Sequence, residues 1–91
     1  MPLVAEGISP NGDGKNDTWV IEGIQRFPVA KINVYNRNGE NVFEARKGYN
    51  NDWSGDWKKD GKILPSGPYF YLIDLDNNGV VDLQGWLFIQ N

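Results

Sequence analysis

The sequence predicts an all-β fold, and three observations predict it. Glycine (eleven residues) and asparagine punctuate the chain at short intervals. Between them lie β-branched and aromatic stretches that alternate with period two. No long window carries a helical apolar face with a cap at each end.

The elements follow in order. PLVAE, near the start, is a weak first strand. Within DTWVIEGI, Trp19, Val20 and Ile21 make a short second one. VAKINVYNR alternates cleanly, with Ile32 and Val34 pointing one way and Lys31, Asn33 and Tyr35 the other. Asn38-Gly39 marks a hairpin, because both central positions of a type I′ turn need positive φ, and NVFEA is its return strand. The stretch RKGYNNDWSGDWKKDGKILPSG reads as loop, with a turn at Asp60-Gly61 and one short strand at Lys62–Leu64. PYFYLIDL is the strongest strand; Pro68 is tolerated as its first residue, where the ladder needs no donor. DNNG turns the chain and VVDLQGWLFIQ closes it.

Strands at this spacing, with no helix to cover a sheet, favour two packed antiparallel sheets. The predicted fold is an immunoglobulin-like antiparallel β-sandwich of about seven strands, with a small closed barrel as the alternative. Ninety-one residues fit one domain, 1–91. A chain this short has a thin core and must fill it with large side chains, which four Trp, four Tyr and four Phe can supply.

Alternation also sorts the faces. In PYFYLIDL, Tyr71, Ile73 and Leu75 share one side and Phe70, Leu72 and Asp74 the other. In the last strand Leu83, Gly85, Leu87 and Ile89 oppose Asp82, Gln84, Trp86 and Phe88. The sets containing Asp74 and Asp82 are expected to face outward. Phe70, Leu72, Trp86 and Phe88 then form an apolar patch outside the core. The ordinary expectation is that a loop such as the Trp53 segment covers it; the sharper one is that Phe70, Trp86 and Phe88 meet a partner.

Composition removes several function classes. Net charge is −3 with acids and bases interspersed, so the basic stripe of a nucleic-acid binder is missing. Anionic membrane surfaces are disfavoured by the same sign, and no apolar run reaches the length of a membrane span. There is no cysteine, hence no disulfide, thiolate metal site or cysteine nucleophile. There is no histidine, hence no ordinary general base at neutral pH. The expectation is a non-catalytic domain, monomeric in isolation.

Three stretches could carry binding chemistry. In SPNGDGKND, Asn11, Asp13, Asn16 and Asp17 offer oxygens on a glycine-rich loop, which is how many modules hold calcium. In DLDNNGVVD, Asp74, Asp76, Asn78, Gly79 and Asp82 follow the start of an EF-hand loop. The twelfth position, however, is Gly85 rather than a bidentate glutamate. Turn structure is the leading reading at both, with calcium a possibility at the first. In NDWSGDW, Trp53 and Trp57 could stack on a sugar ring; Trp53 plugging the thin core is the leading alternative. Asp52 and Asp56 are a carboxylate pair, but the scaffold is too small to form a glycosidase cleft.

The ordered set of segments SPNGDGKNDTWVI, VYNRNGENVFE, NNDWSG, LPSGPYFYLIDL and GWLFIQ resembles the gliding-motility-associated C-terminal domains. These CHU_C-like domains are the type B sorting domains of the type IX secretion system, and the five segments cover nearly the whole chain. The sequence departs from the family pattern at Asn38 (Trp preferred), Ser54 (Asp) and Pro68 (Thr), and Trp57 is the candidate to replace the Trp missing beside Gly39. The resemblance implies a non-catalytic C-terminal signal that directs a cargo to the cell surface or medium through the periplasm and outer membrane. It implies a translocon and a SprF-like outer-membrane protein as partners. It also implies a longer chain whose signal peptide lies at the far end. A carbohydrate-binding module using Trp53 and Trp57 is the rival class, and an inert spacer a third reading.

Overall fold

The computed structural model describes residues 2–9 and 17–90. Its strands are β1 (Leu3–Val4), β2 (Gly7–Ile8), β3 (Ile21–Glu22), β4 (Lys31–Tyr35), β5 (Asn41–Ala45), β6 (Gly67–Asp74) and β7 (Leu83–Ile89). A 3₁₀ turn, Ile24–Arg26, follows β3. One sheet has five strands in the order β2-β7-β6-β4-β5; β1 and β3 make a two-stranded second sheet. The all-β, two-sheet architecture and the strand number agree with the sequence.

The five-stranded sheet forms where the period-two pattern is cleanest. Ile32 and Val34 of β4 face inward beside Ile73 and Tyr71 of β6. Leu87 and Ile89 of β7 complete that inner row, and Ile32, Val34, Ile73, Leu87 and Ile89 are all buried. Burying each such side chain contributes about 1.5–3 kcal/mol, an upper bound because the unfolded chain is already partly compact.

The opposite layer is mostly loop. Residues 46–66 bring Tyr49, Trp53 and Leu64 into the core, against a fully buried Trp19. Polar groups there find partners inside the molecule. The Trp19 N–H donates to the Trp53 carbonyl (2.8 Å), the Gly48 N–H to Ala30 (2.7 Å), and the Ile21 N–H to the Asn51 side chain (2.8 Å). Among the described residues no buried side-chain polar atom lacks a partner, as a small core requires.

Six details differ from the sequence expectation. The first strand splits: β1 pairs with β3, and after Ala5 and Glu6 the chain joins the other sheet as β2, parallel to β7. The Ala5 N–H donates to Val20 (3.1 Å) and the Trp19 indole N–H to the Ala5 carbonyl (2.9 Å), fixing that crossing. The second strand is shorter, because Trp19 and Val20 precede Ile21–Glu22 instead of joining the ladder. The β4–β5 turn is not type I′. Gly39 alone has positive φ (80°), and the Gly39 N–H bonds to the Asn36 carbonyl (3.0 Å). That is a type I turn closed by a glycine bulge. One pair further along, the register shifts again between Val34 and Tyr35, where Val42 has no partner residue on β4. Asn36 explains the choice, since its side-chain oxygen accepts from the N–H groups of Asn38 and Glu40 (both 2.9 Å).

The expected strand at 62–64 reduces to one bridge, Ile63 with Asp56. The closing strand starts at Leu83, leaving Val80 and Val81 exposed in the preceding turn. Pro68 is the second residue of β6 rather than the first. The β4–β6 register places it beyond the end of β4 at Tyr35, so its missing N–H breaks no ladder bond.

Candidate recognition face

The outer face of the five-stranded sheet is built by the same alternation that builds the core. Cross-strand pairing sets Tyr35 of β4, Phe70 of β6 and Trp86 of β7 in one row. Pro68 and Phe88 form the row on one side of it; Asn33, Leu72 and Gln84 form the row on the other. The Phe70 and Trp86 rings meet edge to face, 5.2 Å between centroids at 62°, a geometry favoured by the ring quadrupoles. Phe70, Leu72 and Tyr35 are half-buried by these neighbours.

Trp86 and Phe88 are not covered: they are 59% and 58% exposed. The expectation that the Trp53 segment would lie over this patch is wrong. Trp53 is 5% exposed on the other side of the sheet. Its ring stacks on Phe43 (4.6 Å, 19°) and meets Trp19 edge-on (5.9 Å, 72°). The loop therefore completes the core. The sequence placed Phe70, Trp86 and Phe88 together, and the structure joins them in one face. It adds Tyr35, whose outward direction was readable but whose register against Phe70 was not.

Trp53 and Trp57 do not form a paired stacking surface. Trp57 is half-buried, and the Lys59 ammonium sits over its ring, 3.8 Å from the centroid. Trp57 lines a surface groove of about 350 Å³ together with Asn38, Leu64 and Pro65.

The EF-hand-like stretch is a turn whose oxygens face backbone. Asp74 is buried, accepting from the N–H groups of Asn78 (3.1 Å) and Gly79 (2.7 Å). Its expected outward exposure is not realised, because those two N–H groups hold its carboxylate over the turn. Asp82 accepts from the Leu75 N–H (2.8 Å), and the Asn78 side chain from Val80 (3.0 Å). Asn77 and Gly79 supply the positive φ that the turn needs (54° and 87°). Of the residues proposed for the first loop, Asn11, Asp13 and Asn16 lie outside the described residues, and Asp17 is half-buried at its end.

Burial perturbs titration at three tyrosines. Burial holds the Tyr49 hydroxyl far above the ordinary tyrosine range; its hydrogen bond with the Trp53 N–H opposes this, and Asp52 adds a small push upward. Burial also raises Tyr69, against the nearby Arg37 charge, and raises Tyr71, with Glu6 adding to it. A face of aromatic rings and amides offers adhesion and shape, not reactive groups.

The model of the CHU_C type IX secretion signal domain family matches residues 3–89. A search of curated proteins finds no match. The match spans the seven described strands and both sheets. A type IX secretion signal implies a cargo exported to the cell surface or medium, and a family of such signals is not an enzyme family. This chain belongs to the CHU_C type IX secretion signal domain family.

Proposed function

We propose that residues 1–91 form one C-terminal sorting domain of the type B kind, and that a SprF-like outer-membrane protein reads it through the Phe70, Trp86 and Phe88 face. One observation carries the assignment of that face. Two large aromatic side chains, 59% and 58% exposed, sit side by side on a rigid sheet with no described segment over them. Exposed apolar surface of this kind is costly in water unless a partner covers it. A preformed sheet also loses little conformational freedom when it docks.

The test is a neutral reporter fused ahead of the domain, in a host with the secretion system and in one lacking only the SprF-like protein. Export in the first and retention in the second is the expected result. Trp86→Ser and Phe88→Ser are expected to cut export while leaving the melting temperature in place. Full export by both variants at unaltered stability would remove the face from the proposal.

A further inference from the structure

Both margins of the five-stranded sheet are open to question, and they are built differently. At the β5 margin, the Lys58 N–H donates to the Val42 carbonyl (3.0 Å). Charges also crowd there: Arg46 and Lys58 lie 3.4 and 3.9 Å from Glu44. Charges and a covering loop are how sheets discourage strand addition. At the other margin β2 covers only the end of β7. The Phe88 N–H donates to Glu6 (2.8 Å) and the Gln90 N–H to Ile8 (2.9 Å).

Strand alternation then fixes where the neighbouring groups point. If Phe88 and Gln90 turn their N–H groups away from β6, so do Gln84 and Trp86. Among the described residues, neither the Gln84 nor the Trp86 N–H meets an acceptor on that side. The segment Leu83–Leu87 contains no proline, no charge and no bulge within it. It is an unguarded ladder about five residues long, bounded by Asp82 at one end and by Glu6 at the other.

We propose that this margin is a strand-addition site: an extended segment of the partner pairs with Leu83–Leu87, setting an apolar side chain beside Trp86 and a basic residue near Glu6 or Asp82. This rests on the sorting reading and names the chemistry of the partner. Charge selects the occupant. Glu6 and Asp82 are exposed carboxylates, and β7 carries no cation to offset them. A second copy of this chain fits poorly. Antiparallel self-pairing centred on Gly85 would bring Asp82 of one molecule to the β2 end of the other, beside Glu6, with like charges opposed. The incoming strand would extend the aromatic face rather than compete with it, since Trp86 belongs to both.

Gln84→Pro is the decisive variant in the reporter fusion, with Gln84→Ala as its control. Proline removes the outward N–H and leaves the β6 ladder intact, because the Gln84 N–H takes no part in it. Loss of one interfacial hydrogen bond, with the ring blocking its neighbour, is expected to lower export about tenfold, while Gln84→Ala exports normally. Normal export by a folded Gln84→Pro overturns the proposal. If Trp86→Ser is impaired in the same series, the recognition face survives and the edge alone is lost. No export of the unmodified fusion defeats the sorting reading itself.

Amide exchange supplies a readout that does not depend on the proline variant folding. In the free domain the Gln84 and Trp86 amides are expected to exchange fast and those of Gly85 and Leu87 slowly. Adding the purified SprF-like protein is expected to protect the first pair. Equal protection of all four in the free domain, or no change on adding that protein, overturns the proposal. So does a concentration-dependent dimer that protects Gln84 and Trp86.

Discussion

The Tyr49 hydroxyl donates a hydrogen bond to the Trp19 carbonyl at 2.6 Å, joining residues 30 apart in sequence. The same oxygen accepts from the Trp53 N–H at 3.1 Å. One phenol thus satisfies two backbone groups in the layer that has least regular structure. Removing it is expected to orphan both. Tyr49→Phe should lower stability by about 1–3 kcal/mol in denaturant unfolding, although the rings of Trp19 and Phe43 still have an aromatic neighbour.

The same residue makes a pH prediction. Burial raises the Tyr49 pKa in the folded state above its unfolded value of about 10. A raised folded pKa means stability that is whole below about pH 10 and is lost as pH climbs above it. The domain is therefore expected to weaken progressively in alkali, with Tyr69 and Tyr71 contributing in the same direction. Tyr49→Phe should show a shallower decline between pH 9.5 and 11.5, roughly the window in which free tyrosine ionises. A slope identical to that of the unaltered chain would refute the assignment.

The two tryptophans of NDWSGDW should part company on mutation. Trp53→Ala removes a core ring and is expected to cost about 3–5 kcal/mol, a large share of what a domain of this size possesses. Trp57→Ala, at a half-buried site, should cost about 1 kcal/mol or less. Pull-down on insoluble polysaccharides separates this from the rival carbohydrate reading. The sorting domain should not be retained, whereas loss of retention specifically in a folded Trp57→Ala would favour sugar binding.

Gly85 should resist any side chain. A Cβ there would lie 2.8 Å from the Tyr71 hydroxyl and 3.1 Å from its ring. Gly85→Ala is expected to destabilise by about 1–3 kcal/mol through that overlap. Pairing it with Tyr71→Leu should recover part of the loss, so a double-mutant cycle that came out additive would contradict the contact.

The turn after β6 offers a fifth check. Asp74→Asn leaves one side-chain oxygen where two accept now, and should cost about 1 kcal/mol by weakening the bonds to Asn78 and Gly79. Calcium should leave the amide resonances of Asn78, Gly79 and Leu75 in place, because the oxygens that would hold the ion already accept from these groups.

How far the sequence could be read depends on the range of the interaction. Strands β4, β6 and β7 were legible, and so were their inner and outer faces, because period two is a local property of the chain. The aromatic patch of Phe70, Trp86 and Phe88 followed from it directly. What escaped depends on contacts between distant segments. Nothing near Gly7 and Ile8 announces a parallel pairing with Phe88 and Ile89. Residues 46–66 have loop composition, and only their meeting with Trp19 makes them a layer of the core. Trp53 was accordingly read as a core plug first, against a sugar-stacking surface or a cover over the outer patch, and its burial agrees with the first. The β4–β5 turn escaped for a subtler reason: Asn38-Gly39 suits two turn types, and the Asn36 side chain decides between them.

The crossing of the chain at Ala5 and Glu6 has a mechanical consequence. Because β2 runs parallel to β7, tension that enters ahead of Pro2 and leaves beyond Gln90 would slide the two strands past each other. The bonds from Phe88 to Glu6 and from Gln90 to Ile8 then carry the load together instead of unzipping in turn. A folded body tethered to a passenger during passage across a membrane would hold its shape under traction. Single-molecule stretching should register this as one abrupt rupture, at a force that drops when Gln90→Pro removes an N–H from the clamp.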